Sequence, residues 1–227
     1  KALSGILDKP KPSTAALDAS VIGQASHREI ARQAVRESLV LLKNNDNTLP
    51  LKAGQNILVV GAAADDIGQQ SGGWTITWQG TGNENSDFPG GQSILDGLHM
   101  MAEQAGTKIQ FSATGEFSDR PDVAVVVFGE TPYAEGQGDI DSLNYGASDA
   151  SSVELLRRLK SEGIPTVAVF LTGRPMWINP ELNHSDAFVV AWLPGTEGFG
   201  VAEVLFGEPG SDNDFKGRLP FNWPSID

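Results

Sequence analysis

The sequence predicts an α/β fold, a three-layer α/β/α sandwich with a mostly parallel sheet of about five to six strands. Three observations predict it. Several apolar runs are continuously Val, Ile and Ala rather than alternating, and such strands must be covered on both faces. Helical runs with start and stop signals separate several of these strands. With 40% hydrophobic residues in 227, the chain can bury one sizeable core or at most two small ones, and one main domain is expected.

The elements follow in order. Residues 5–25 mix Pro, Ser, Ala and Gly without a sustained period and read as a linker wrapping a surface. Residues 1–26 are therefore assigned to a linker and 27–227 to the sandwich domain. Ser26 and Glu29 stand at capping-box spacing, with Ile30, Ala34, Val35 and Ser38 continuing at helical spacing, so a helix is expected from His27 to about Ser38. LVLLKNNDNTLPL, residues 39–51, sets two apolar runs about a turn-forming cluster, Asn44 to Asn47, which predicts a short strand, a turn and a second extended piece.

Strand-like runs follow at 57–62, 108–113, 123–129, 166–173 and 187–193. Between them, Ser93 to Gln104 carries Ile94, Leu95, Leu98, Met101 and Ala102 on one helical face, and Gly106 stands where a C-terminal glycine belongs. Ser151 and Glu154 repeat the capping-box spacing before Val153, Leu155, Leu156 and Leu159, and that helix should end at Gly163 with Pro165 beyond. A last helix runs from about Glu197 to Phe206 and stops at Gly207. No internal repeat or low-complexity segment interrupts the pattern.

Charge and composition narrow the function. With 16 Lys and Arg against 29 Asp and Glu, the net charge of −13 repels a polyanion, so nucleic acid is not an expected partner. No apolar run approaches the ~20 residues that span a bilayer, so no membrane partner is expected either. The chain has no cysteine, which excludes disulfides and thiolate metal sites. His27, His99 and His184 show no metal-ligand spacing and read as surface or capping residues. No cofactor and no metal is expected. The first residue is Lys1 rather than methionine, as expected of a processed chain or the later part of a longer one.

Candidate chemistry gathers where strands end, because ligands of open parallel sheets sit outside the carboxyl ends of the strands. GETPYAEGQGD, residues 129–139, leaves a valine-rich strand and presents Glu130, Glu135 and Asp139 on a glycine-rich loop. Solvated loop acids, a helix cap and an acid that does chemistry all remain open for these carboxylates. Glycine lets backbone approach another surface closely at an entropic cost a purely structural loop could avoid.

A second stretch, SGGWTITWQGTGN at 71–83, holds Trp74 and Trp78 four residues apart in a setting too polar for a core helix. Core packing and a stacking face for a sugar are both open for the two indoles. Two aspartates without Lys or Arg make the segment GAAADDIGQQSGG, residues 61–73, a poor phosphate cradle. Arg174, in TGRP, is read as the partner of a loop carboxylate in a structural ion pair. Gly195 and Thr196 are read as the start of the last helix.

Taken together, SLVLLKNN, GGWTITWQG, GETPYAEGQGD, TGRP, VVAWLPGTEG and FKGRLPFNWP resemble, in that order, the second domain of glycoside hydrolase family 3, and most of all its β-glucan exohydrolase branch. The resemblance covers nearly the whole chain from about residue 27. It implies a retaining, exo-acting β-glucosidase or glucan glucohydrolase in two parts: a (β/α)8 barrel upstream that carries an aspartate nucleophile, and this sandwich, which carries the glutamate acid/base. The position matching that glutamate is Glu135, and the positions matching the branch's entrance tryptophans are Trp74 and Trp78. The implied substrate is a β-glucan oligosaccharide or β-glucoside, which favours a secreted or periplasmic setting.

Neither the barrel nor its nucleophile is within these 227 residues, so the chain alone is expected to be inactive. A retaining glycosidase needs two carboxyl groups roughly 5 to 5.5 Å apart, one protonated and one ionised. The pKa of Glu135 is expected to be raised once the nucleophile and apolar walls close over it. Asp139 is read as shaping the loop through bonds to nearby amides, and Glu130 as a weaker candidate. Two other functions compete: a non-catalytic carbohydrate-binding module using Trp74 and Trp78, and a flavodoxin-like nucleotide binder.

Overall fold

The computed structural model describes residues 1–9, 18–147, 150–207 and 210–224. Six strands form one sheet: β1 (Val40–Asn44), β2 (Asn56–Val60), β3 (Lys108–Ser112), β4 (Val123–Gly129), β5 (Thr166–Leu171) and β6 (Ala187–Trp192). Their order across the sheet is β1-β6-β5-β4-β2-β3, and every pair is parallel except β1 with β6. The predicted sandwich with a mostly parallel sheet is therefore the observed fold.

Side chains alternate along a strand, and both sets here are buried. Ile57 and Val59, Val125 and Val127, Val167 and Val169, and Val189 and Ala191 face one helix layer. That layer comprises α1 (Ala25–Ser38), α3 (Ile94–Ala105) and α6 (Gly198–Leu205). Leu58, Val60, Val126, Phe128, Phe170, Phe188 and Val190 face the other, formed by α4 (Ser151–Ser161) and the segment before α5 (Asn179–His184). Burying one such side chain contributes about 1.5 to 3 kcal/mol, which is why uninterrupted Val and Phe runs are stable only between two layers. The remaining short helix, α2 (Ile67–Ser71), follows β2.

Neither of the two expected capping boxes forms. Helix α1 begins one residue before Ser26, with Gln24 at its N-cap, and α4 begins at Ser151 itself, with Ala150 at its N-cap. Ser26 and Ser151 are thus first-turn residues, and neither N-cap residue supplies a side-chain bond. The box forms instead at α3, where Ser93 accepts from the Asp96 N–H and Asp96 accepts from the Ser93 N–H. The second extended piece after the turn, residues 48–51, joins no sheet ladder; it packs Leu49 and Leu51 into the core, with the Leu51 N–H donating to Leu205 O.

Gly195 and Thr196 precede α6 rather than begin it; Gly195 is tied through both its N–H and its carbonyl to Gln70. Glu197, almost fully buried, anchors α1 to the start of α6 by pairing with Arg28 at 2.8 Å and Arg32 at 3.2 Å. No helix among the described residues is long and apolar enough to cross a membrane.

Candidate active site

Strands β2 and β4 lie side by side in parallel, with Val60 opposite Val126, so the segments leaving them emerge at the same edge of the sheet. This is where the strand order reverses: β2 continues to β3 on one side, while β4 leads to β5 on the other. The loop carrying Trp74 and Trp78 and the loop carrying Glu135 are separated by more than fifty residues of sequence, yet they share this edge. Gly73 lies so close to the second loop that a Cβ there would stand 1.9 Å from Tyr133 O, and only glycine permits that approach.

Glu135 is exposed on its loop, and its Oε2 accepts a 2.8 Å hydrogen bond from the Trp78 indole Nε1. The Trp74 and Trp78 rings lie 6.2 Å apart, inclined at 45°. Both indoles are open to solvent, Trp74 at 69% and Trp78 at 57% exposure, which decides against core packing. The structure thus brings all three expected site residues, Glu135, Trp74 and Trp78, into one group. A cleft of about 240 Å³ opens beside them, between Trp74, Tyr133, Pro132 and Leu193.

The other loop carboxylates have different tasks. Glu130 turns inward: Arg174 Nε donates to its Oε1 at 2.9 Å, and the Thr172 hydroxyl donates to its Oε2 at 2.6 Å. The Arg174 guanidinium lies 3.9 Å over the Tyr133 ring and donates from Nη1 to Gly138 O at 2.7 Å. Arg174 is therefore the structural ion-pair partner expected of it, and it braces the far end of the acidic loop. The Tyr133 hydroxyl is pushed up in pKa by burial and by the negative charge of Glu130 beside it. Asp139 does not shape the loop through its side chain. Its backbone N–H donates to Gly136 O, and its exposed carboxylate caps no amide among the described residues.

The Trp78 indole, ahead of any other cause, holds the Glu135 carboxyl below the usual carboxylate range. In this chain the shift is thus opposite to the one expected of an enclosed catalytic acid, because Glu135 is solvated and receives a donor to its ionised form. Replacing Trp78 with phenylalanine is expected to move the Glu135 titration midpoint upward, toward the ordinary range, as followed by the side-chain carboxyl NMR signal. An unmoved midpoint would show that the indole does not set it.

The tryptophan loop holds backbone strain. Trp74 and Ile76 both adopt left-handed φ values, 60° and 59°, and a β-branched residue there is a genuine outlier. Ile76 is 65% exposed, so little burial offsets the strain within this chain. Ile76→Asn, which suits this conformation, is expected to stabilise the chain by about 0.5 to 1 kcal/mol, seen as a higher Tm. A lower Tm would mean that the isoleucine side chain contributes packing.

Spacing alone did not single out Gln79, whose side chain bonds to the acidic loop, or Gln69, whose Nε2 donates to both Gly129 O and Glu130 O. Glutamines carry no motif signal of their own; the only hint was the polar setting around the tryptophans. Among the described residues, no group of three His, Cys, Asp or Glu side chains is placed to hold a metal.

Comparison with known proteins adds to this geometry. The profile of the glycosyl hydrolase family 3 C-terminal domain matches residues 39–226. The chain is 37% identical to a lysosomal beta glucosidase of Dictyostelium discoideum, over 97% of this chain but 28% of that protein. It is 30% identical to a periplasmic beta-glucosidase of Salmonella typhimurium, covering 87% of this chain and 28% of that one. Among solved structures, an exo-1,3/1,4-beta-glucanase from a Pseudoalteromonas species superposes with a TM-score of 0.85 at 54% identity, covering 89% of this chain and 26% of that one. The chain therefore spans little more than a quarter of the length of these relatives.

Proposed function

The chain belongs to glycosyl hydrolase family 3 as a C-terminal domain, and from that premise we propose that it supplies the acid/base of a retaining, exo-acting β-glucosidase or β-glucan glucohydrolase. Its substrate is a β-glucoside or β-glucan oligosaccharide, cleaved at terminal non-reducing β-D-glucosyl residues. A (β/α)8 barrel upstream in the same polypeptide contributes the nucleophilic aspartate, with residues 1–26 linking the two domains. The observation that carries this reading is the exposed Glu135 carboxyl held against the Trp78 indole at the switch point of the sheet.

In the first step, Glu135 is protonated and donates its proton to the departing glycosidic oxygen while the barrel aspartate forms a bond to the anomeric carbon. In the second, the Glu135 carboxylate takes a proton from water, whose oxygen displaces the aspartate and releases glucose with retained configuration. A carboxyl held low by Trp78 is ionised, as the second step requires, although the same shift weakens it as a base. The first requires its pKa to rise, which a nearby nucleophile carboxylate and exclusion of water would bring about. Trp74 and Trp78 contact the sugar on the leaving-group side.

A non-catalytic carbohydrate module is the competing reading, and the exposure of both indoles favours it as far as binding goes. The bond from the Trp78 indole to the Glu135 carboxyl argues against it, since a binding platform alone has no need of a carboxylic acid held at its edge. The deciding test is the leaving-group dependence of Glu135→Gln in the polypeptide that joins this domain to its barrel. A secreted or periplasmic location is part of the same proposal, argued from the substrate class.

A further inference from the structure

The loop bearing Glu135 is a tight turn with few internal supports. The Gly138 N–H donates to Ala134 O at 2.7 Å, and Gly136 takes a left-handed φ of 84°, so residues 134–138 form a hook. One end of the hook is braced by Arg174 through Gly138 O. At the other end, one side chain of the tryptophan loop holds the backbone. Gln79 Oε1 accepts from the Ala134 N–H at 2.6 Å, and its Nε2 donates to Glu135 O at 3.0 Å.

These two bonds use both ends of one planar carboxamide on consecutive residues, so they hold the backbone at Glu135 in orientation as well as in place. The residue immediately before Gln79 is Trp78, which binds the Glu135 carboxylate itself. Backbone and carboxyl of the same residue are thus held by neighbours on one short loop.

We infer that Gln79 is a positioning residue for the Glu135 carboxyl, locking the acid to the tryptophan pair so that the indoles and the proton donor move as one body. The inference rests on the acid/base assignment of Glu135. Only glutamine fits the role: asparagine is too short to reach both partners, and an ionised glutamate can accept from Ala134 but cannot donate to Glu135 O. A hook without this clamp keeps its internal hydrogen bond and its Arg174 brace, so it persists, but Glu135 samples orientations in which the proton is not delivered. Misplacement on the order of 1 Å costs up to about 100-fold in rate.

The test compares Gln79→Ala and the near-isosteric Gln79→Glu in the polypeptide that joins this domain to its barrel. Each is expected to lower kcat/KM, which reports the first step, roughly 10- to 100-fold on glucosides with poor leaving groups, which need the proton, and less than about threefold on activated aryl glucosides, which do not. In the 227-residue chain, Gln79→Ala should shift the Trp78 indole N–H resonance and raise the Glu135 titration midpoint. A purely structural role would lower kcat/KM for both substrate classes equally, and that result, or an unchanged indole resonance, overturns the inference. Failure of the underlying assignment reads differently: Glu135→Gln would then show no leaving-group dependence while Gln79→Ala still moves the indole resonance. That outcome removes the catalytic consequence of the clamp. Should Gln79→Ala fail to fold, Gln79→Glu keeps the size of the side chain and decides the kinetics alone.

Discussion

Glu135→Gln, made in the polypeptide that joins this domain to its barrel, is expected to slow hydrolysis of glucosides with poor leaving groups by about 10² to 10⁴, the usual contribution of general acid catalysis. Activated aryl glucosides should be much less affected in the first step, because their leaving groups depart without a proton. The glycosyl enzyme would then accumulate, since the amide cannot deprotonate water in the second step, and a burst of aryl alcohol should precede a slow steady state. Steady-state and pre-steady-state rates on a series of leaving groups measure both effects. Equal losses of kcat/KM across the series would remove the assignment. Glutamine can still occupy a hydrogen-bonding position beside Trp78, so the substitution changes proton transfer with little change in the loop.

Removing Arg174 is expected to have the largest effect on stability. Its guanidinium sits between the half-buried Tyr133 ring and the Glu130 carboxylate, and the side chains of the pair retain only 20% and 11% of their exposure. Arg174→Ala leaves Glu130 with the Thr172 hydroxyl, the Gly173 N–H and the more distant Tyr133 hydroxyl as its remaining partners and strips Gly138 O of its donor. Stranding a largely buried charge in this way costs about 3 kcal/mol, at the lower end for broken buried pairs because neither group is fully enclosed. Urea unfolding of the 227-residue chain measures it.

A double-mutant cycle separates the charge from the packing. In a Glu130→Gln background the same Arg174→Ala change should cost markedly less, because no unpaired charge remains. A loss below about 1 kcal/mol in the parent background would place the pair with ordinary exposed ion pairs and overturn the argument.

Much of the fold is legible in the chain because it rests on local chemistry. The run VAVVVFG has no polar face to offer water, so β4 must lie between two layers wherever it is placed. Ser93 and Gly106 bracket α3 because a hydroxyl can accept from a first-turn N–H and a glycine can turn left-handed, both decided within a few residues. The same rule misplaced the starts of α1 and α4. There, Ser26 and Ser151 stand inside the first turn, since the side-chain pattern specifies a helix without specifying which residue begins it.

The sequence by itself determined the layers, the strand-forming runs and the residue types available at the rim: two indoles, three carboxylates and an arginine. Only the tertiary structure decided how these divide their work. Glu130 and Glu135 are five residues apart on one loop and look alike in sequence. Yet one is drawn inward by Arg174, 44 residues away, and the other outward to Trp78, 57 residues away. The physical reason is the parallel pairing of β2 with β4 and of β4 with β5, which sets three distant strand ends side by side. Hydrogen bonds reach about 3 Å, so which carboxylate finds which partner depends on that packing and on nothing encoded within the loop.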